Sequence, residues 1–266
     1  MTTENTTQNP LLLFERDGAT AVLTLNRGKA RNSLSNALMA EMIDALETCA
    51  GDDTVRVVIL KAAGPAFCAG HDLKELREHA GERAFFEDVF AQCSKLMQAI
   101  VHLPKPVIAQ VHGIATAAGC QLVASCDLAI ATQSARFATP GVNIGLFCST
   151  PMVALSRNVG RKQAMEMLLL GEMIDAETAL RYGLINRAVP EGELAGAVRE
   201  MADKIIAKSP LTLAIGKEAF YAQADMDLAA AYDYAAQVMT TNMLAADAGE
   251  GISAFLEKRP PTWRGC

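Results

Sequence analysis

The stretch "KPVIAQVHGIATAAGCQLVASCDLAIAT", residues 105–132, decides how this chain folds. It follows "PKP" (104–106), where proline halts the preceding helix. "PVIAQVHG" (106–113) then reads as a buried strand, residues 116–125 as a helix, and "DLAIA" (127–131) as a short strand. A strand that runs through small residues straight into a helix and on to another strand belongs to a sheet with helices packed outside it. The helix also carries an amide, Gln121, where acid–base chemistry asks for a carboxylate.

The same alternation extends to either side. "TAVLTLN" (20–26) alternates like a half-buried strand, and "SNALMAEMIDALETCA" (35–50) has helical periodicity with Ser35 as its cap. "VRVVILKA" (55–62) is continuous and β-branched, as a strand covered on both faces should be. A long amphipathic helix is predicted from about Glu82 to His102. After Gly145 the pattern turns mainly helical. Ser149 or Thr150 is expected to cap a helix with Pro151 in its first turn, and Gly171 to end the next one. "LINRAVP" (184–190) reads as a last short strand. From Ser209 onward the chain is helical and too short to fold alone, so it must pack on the core or on another subunit. The division expected is a tail over 1–10, a core over 11–208 and a helical segment over 209–266.

The 266 residues suffice for one large domain with a full core. A hydrophobic fraction of 51% argues against wholesale disorder, and a net charge of −6 gives no support for a nucleic-acid or basic membrane-facing surface. No apolar run is long enough to suggest a transmembrane helix. The start, "MTTENTTQNP", has neither a basic region nor an apolar one, so a cytoplasmic location is expected by default. The seven cysteines are scattered, without a CxxC pair or a histidine at ligand spacing, and are read as reduced, buried small hydrophobes with no metal.

The loops offer no Walker A pattern, no dinucleotide turn and no hydrolase elbow. Two stretches do look like backbone donors. "CAGHDLKEL" (68–76) and "HGIATAAGCQL" (112–122) each leave a strand through small residues and enter a helix. Such turns expose free N–H groups at a positive helix terminus, and two side by side would polarise a carbonyl as an oxyanion hole.

With these stretches in hand, the chain resembles the enoyl-CoA hydratase/isomerase (crotonase) superfamily over nearly its whole length. "LNRGKARNSLS" (25–35), "GPAFCAGHDLKEL" (64–76), residues 105–132, "ARFATPGVNIGL" (135–146), "ALRYGLINRAVP" (179–190) and "FLEKRPPTW" carry the likeness. "AAGCQLVASCD" and "PGVNIGLFCSTP" are similar to the branch called enoyl-CoA hydratase domain-containing protein three. The resemblance implies an α/β fold of the ClpP/crotonase-like kind, a repeated ββα superhelix with a C-terminal helical trimerisation segment. It implies a homotrimer or a dimer of trimers, an acyl-CoA thioester as ligand and no separate cofactor. The oxyanion donors fall on the backbone of His71 and Ala118. The residues expected at the ligand are Lys29 and Ala30 in the first loop, His71, Asp72, Leu73 and Lys74 along the thioester and adenine, and Ala118 with Gly119. Lys29 is the candidate partner of a CoA phosphate.

The departures concern the acid and base. Two glutamates that hold water in the family's hydratases are replaced here by Gln121 and Gly141, neither of which takes up a proton at neutral pH. General acid–base help contributes ~10²–10⁴-fold, so hydration is expected to be weak or absent. Positions where related branches place an aspartate hold Cys148 and Ser149. Cys148 precedes a helix N-terminus, which can lower a thiol pKa, and the His71 side chain could titrate near neutrality or serve as a surface hydrogen bonder. Asp72 reads as structural. Asn143 and Gln121 could hold a water or an acyl group by neutral hydrogen bonds. The expected activity is that of a lyase or isomerase working by enolate stabilisation. The alternatives are a non-catalytic acyl-CoA-binding or regulatory protein, or an acyl-CoA decarboxylase or hydrolase.

Overall fold

The computed structural model describes residues 10–266, so the tail expected over 1–10 lies, apart from Pro10, outside the described residues. Strands β1 (Leu12–Asp17) and β2 (Thr20–Leu25) form a hairpin that turns at Gly18, and helix α1 (Asn36–Gly51) follows. Ser35 caps α1 as expected, accepting from the Leu38 N–H. Then come β3 (Val57–Ala62), α2 (Leu73–Glu78), α3 (Arg83–His102), β4 (Val107–Val111), β5 (Ile114–Thr116), α4 (Ala118–Ser125), β6 (Leu128–Thr132) and β7 (Arg136–Ala138). The remainder is α5 (Ser149–Asn158), α6 (Arg161–Leu170), β8 (Ile174–Asp175), α7 (Ala176–Tyr182), β9 (Arg187–Val189) and α8 (Leu194–Ile206), closed by α9 (Pro210–Gln223), α10 (Leu228–Met243) and α11 (Ala246–Glu257).

The main sheet has the order β1-β2-β3-β4-β6-β9 and is parallel apart from the β1–β2 hairpin; a smaller sheet has the order β5-β7-β8. The chain repeats one unit. A strand joins the main sheet, the next short segment joins the smaller sheet, and a helix returns. β4-β5-α4 is a full copy. In the copy that starts at β3 the second strand shrinks to a single bridge, Cys68 to Ala115.

The alternation along the strands explains the two faces. Val58 and Leu60 pack with Leu38, Met42 and Leu96, whereas Val57 and Ile59 pack with Leu194 and Val198 of α8. Successive side chains point to opposite faces of a strand, so a continuous apolar run is what a doubly covered strand requires.

Several local expectations change. The helix expected from 116 starts at Ala118, because Ile114–Thr116 pairs with β7 instead. Of "LINRAVP" only Arg187–Val189 is strand. β1, β7 and β8 have no counterpart in the sequence reading; β7 and β8 are three and two residues long, too short for periodicity to register. Cys148, and neither Ser149 nor Thr150, occupies the cap of α5, since Ser149 already lies in the helix with its hydroxyl turned back to the Phe147 carbonyl.

The C-terminal helices are pinned to the core by one buried cluster. Asp127 accepts from the Val107 N–H, from Lys217 Nζ at 2.7 Å and from the Tyr221 hydroxyl at 3.0 Å. Lys217 also donates to the carbonyls of Ile100 and Lys105. Burial pushes the Lys217 ammonium below its usual range, and the Asp127 charge opposes that shift. Removing one partner of a buried pair leaves the other charge uncompensated, so Asp127→Asn is expected to cost about 3–5 kcal/mol. Urea unfolding of the variant beside the wild type measures this, and a loss below about 1 kcal/mol, the scale of an exposed pair, would deny the cluster its role.

Candidate active site

The two Gly/Ala turns identified in the sequence meet each other. After β3, the segment 68–72 is stitched between two neighbours. The Leu34 N–H donates to Gly70 and the Asp72 N–H to Leu34, while Cys68 exchanges bonds with Ile114 and Thr116. The Leu34 bonds use the groups on either side of His71, so the His71 N–H points away from Leu34. Among the described residues it has no acceptor, and neither has the N–H of Ala118, the first residue of α4.

Two glycines set how closely these donors approach. A β-carbon on Gly119 would lie 2.1 Å from the Cys68 carbonyl oxygen, and one on Gly70, where φ is +93°, would lie 2.9 Å from the Ala117 β-carbon. Only glycine fits either place. Between them Ala117 has φ +51° and ψ −119°, a strained backbone for a residue with a side chain. It is held by its own N–H on the Ala138 carbonyl and by the Gln121 N–H on its carbonyl. The strain turns the Ala118 N–H out at the helix start, beside the His71 turn. Ala117 escapes a sequence reading because nothing marks an alanine as strained.

Asp72 is structural, as read. It caps α2 by accepting from the Lys74 N–H and meets Arg27 Nη2 at 2.8 Å. Burial alone would raise its carboxyl, but the Arg27 and backbone hydrogen bonds prevail and hold it below the usual carboxylate range. Leu73 and Lys74 open α2 and are exposed. Lys29 and Ala30 lie in an exposed one-turn helix, Gly28–Ala30, which packs on the 64–70 stretch where a Gly64 β-carbon would come 2.8 Å from Gly28 Cα. The first loop and the donor turn therefore adjoin.

The side chains around the donors behave differently from expectation. The His71 ring packs edge-on against Phe90 of α3, centroids 5.4 Å apart, and its Nε2 is sealed from water with no partner. Burial pushes its pKa down to about 4, so it neither titrates near neutrality nor acts as a surface hydrogen bonder. Cys148 is buried, and burial raises its thiol pKa, outweighing a Gly141 backbone hydrogen bond. The expected helix-terminus activation does not occur.

Gln121 is buried, with its Oε1 accepting from Cys93 Sγ at 3.8 Å. Burial raises the Cys93 thiol to about 12, so it stays a protonated donor. Cys93 sits 28 residues away on α3, and no sequence signal links it to Gln121. Asn143 does not join Gln121; it is exposed and donates to the Gly171 carbonyl. Gly141 lies against Cys148, since its β-carbon would be 2.9 Å from Cys148 Sγ and 2.3 Å from the Leu146 carbonyl oxygen. No side chain fits at 141 without moving that loop. Ser149 is exposed and turned toward Phe147.

A repeated ββα superhelix with two facing backbone-donor turns defines the crotonase fold class. The chain belongs to the enoyl-CoA hydratase/isomerase family, whose model matches residues 15–266. It is 48% identical over 241 residues to the human enoyl-CoA hydratase domain-containing protein 3, mitochondrial, covering 91% of this chain and 79% of that one. The crystal structure of that human protein superposes with a TM-score of 0.92 at 46% identity, over 96% of this chain and 100% of the other. An enoyl-CoA hydratase from Mycobacterium smegmatis gives 0.94 at 54% identity, over 96% and 99%. The human relative and those of mouse and rat are named mitochondrial, which overturns the cytoplasmic expectation. A polar start was a default and not an address.

The state of His71 has a pH signature. Its folded pKa, about 4, lies below the unfolded value of 6.5, so the unfolded chain binds the proton first. The group adds no penalty above pH 6.5, and stability is lost as pH falls from 6.5 toward 4. His71→Phe is expected to flatten the decline of Tm over that window. Parallel pH series of Tm for both proteins measure it, and identical slopes would refute the buried neutral ring.

Proposed function

We propose that this chain binds an acyl-CoA thioester and stabilises its enolate between the backbone N–H groups of His71 and Ala118. The observation that carries this reading is the pair of unpaired donors on two interlocked turns. A carbonyl oxygen placed there accepts both hydrogen bonds, and the negative charge that develops on enolisation meets fixed dipoles that need no reorganisation. Lys29 supplies a point charge to a CoA phosphate, while the backbone of His71 to Lys74, with Ala30 and Gly119, lines the thioester. Coenzyme A arrives as part of the ligand, and no other cofactor enters this reading.

The hydration step lacks its proton carriers. Gln121 offers a neutral amide with its oxygen occupied by Cys93, and the loop at Gly141 has no room for a side chain. Decarboxylation, in which the leaving carboxylate supplies the electrons, asks mainly for a carbonyl grip and remains open to such a site. The same two observations favour a second reading, an acyl-CoA binder without turnover.

The test incubates the protein with crotonyl-CoA and its β,γ-unsaturated isomer, followed by mass spectrometry and thermal unfolding. The thioesters are expected to raise Tm, and hydration to run ~10²-fold or more below a two-glutamate hydratase, matching one lost acid–base function. A rapid gain of one water refutes the account of Gln121 and Gly141. Absence of any thermal shift refutes the grip itself.

The division proposed is a core over 11–208 and a helical segment over 209–266 that packs on the core and on a neighbouring subunit. Leu228, Tyr232, Leu244, Phe255 and Leu256 are all more than 70% exposed in the single chain. Apolar area of this kind is covered by association in stable oligomers. Sedimentation is expected to give a homotrimer or a dimer of trimers, and a monomer at micromolar concentration would count against this arrangement.

A further inference from the structure

A cavity of about 400 Å³ lies where the C-terminal tail crosses the entry ends of β3 and β4. Three of its lining side chains are cationic, Arg56, Lys105 and Arg264, against one carboxylate, Asp53. Lys105 is fully employed, whereas the two arginines are only partly so. Lys105 Nζ donates to carbonyls at the end of α1, those of Cys49, Ala50 and Asp52. Arg56 Nη2 donates to the Lys208 and Ile206 carbonyls, while its Nε is sealed from water and has no acceptor. Among the described residues none of the three forms an ion pair with a carboxylate. Asp247, buried nearby, accepts from the Ser209 hydroxyl and the N–H groups of Arg264 and Gly265, and the Arg56 charge also helps to hold it ionised.

Part of the cavity wall is apolar. Val55, Leu211 and Leu213 line it, and Trp263 closes it, fixed by its indole N–H on the Ala207 carbonyl. Surplus positive charge beside an aromatic and aliphatic wall is the chemistry of an amphipathic anion site. We propose that this cavity binds a compact organic anion, a carboxylate or phosphate on an apolar or aromatic body, held by Arg56 and Arg264 with its body against Trp263.

The site is separate from the thioester grip. β3 begins at Val57 beside the cavity and ends at Ala62, just before the donor turn, and β4 runs the same way from Val107 to Val111. Six residues of strand at ~3.3 Å each put ~20 Å between the two ends. The occupant is therefore a second ligand, which bridges the core and the C-terminal segment.

Trp263 is the only tryptophan in the chain, so its fluorescence reports on this cavity alone. The full-length protein is titrated with AMP and with octanoate, each beside its neutral counterpart, adenosine or octanol, while calorimetry follows the same mixtures. At least one anion is expected to shift Trp263 emission saturably and to bind about tenfold tighter than its neutral counterpart, the scale of one charge-assisted hydrogen bond. Arg264→Gln, in the exposed tail, is expected to erase that difference without unfolding the chain, and Arg56→Gln to weaken binding similarly. AMP seated at the thioester grip would give heat without a Trp263 response and without sensitivity to Arg264→Gln. That result, equal binding of the neutral compounds, or no saturable response to either anion would overturn the proposal.

Discussion

The carbonyl of Cys68 and the backbone of Gly119 approach so closely that a β-carbon on residue 119 would lie 2.1 Å from that oxygen. Everything about the site depends on this contact. It brings the turn after β3 against the turn after β5, and so fixes the separation of two donors that come from different repeats of the ββα unit. A single methyl there would force the turns apart, and a fixed pair of dipoles would become two unrelated N–H groups, each free to find water. The strained backbone of Ala117 belongs to the same contact. Its unfavourable φ is tolerated because the Ala138 carbonyl and the Gln121 N–H hold it from both sides.

The proposed grip is made of backbone, whereas four side chains near it are held neutral. His71 is locked against Phe90 as a neutral ring, Cys148 and Cys93 remain thiols because burial disfavours their charged forms, and Gln121 spends its oxygen on Cys93. In a buried environment a dipole aimed at a carbonyl counts for more than it would in water, and an unneeded charge is costly. The family's architecture is thus retained around neutral side chains.

Much of this was legible in the sequence. The strand–turn–helix pattern of 105–132, the cap at Ser35, the Gly171 terminus and the doubly buried strand "VRVVILKA" are local signals, and local periodicity reports them faithfully. The two turns of small residues were visible from spacing, and it was the family resemblance that assigned the donors within them to His71 and Ala118. What escaped was set by long-range contacts. The short strands β7 and β8 exist only because a partner strand is present, Ala117 looks like any alanine, and the link between Cys93 and Gln121 spans two helices. The charge states of His71 and Cys148 depended on burial, which spacing does not report. Cys148 sits at a helix start, as the sequence suggested, but desolvation outweighed the terminus.

Asp127 has a consequence for how the chain is made. The carboxylate sits just after α4, near the midpoint of the chain, and one of its oxygens anchors the start of β4. Its cation and its hydroxyl partner arrive only with residues 217 and 221. During synthesis the strands and helices of the early repeats therefore assemble around an unneutralised charge, which stays in reach of water until α9 has emerged and docked. Completion of the core therefore waits for α9, and the helical segment acts as the final fastener of a sheet whose strands all precede it in the chain.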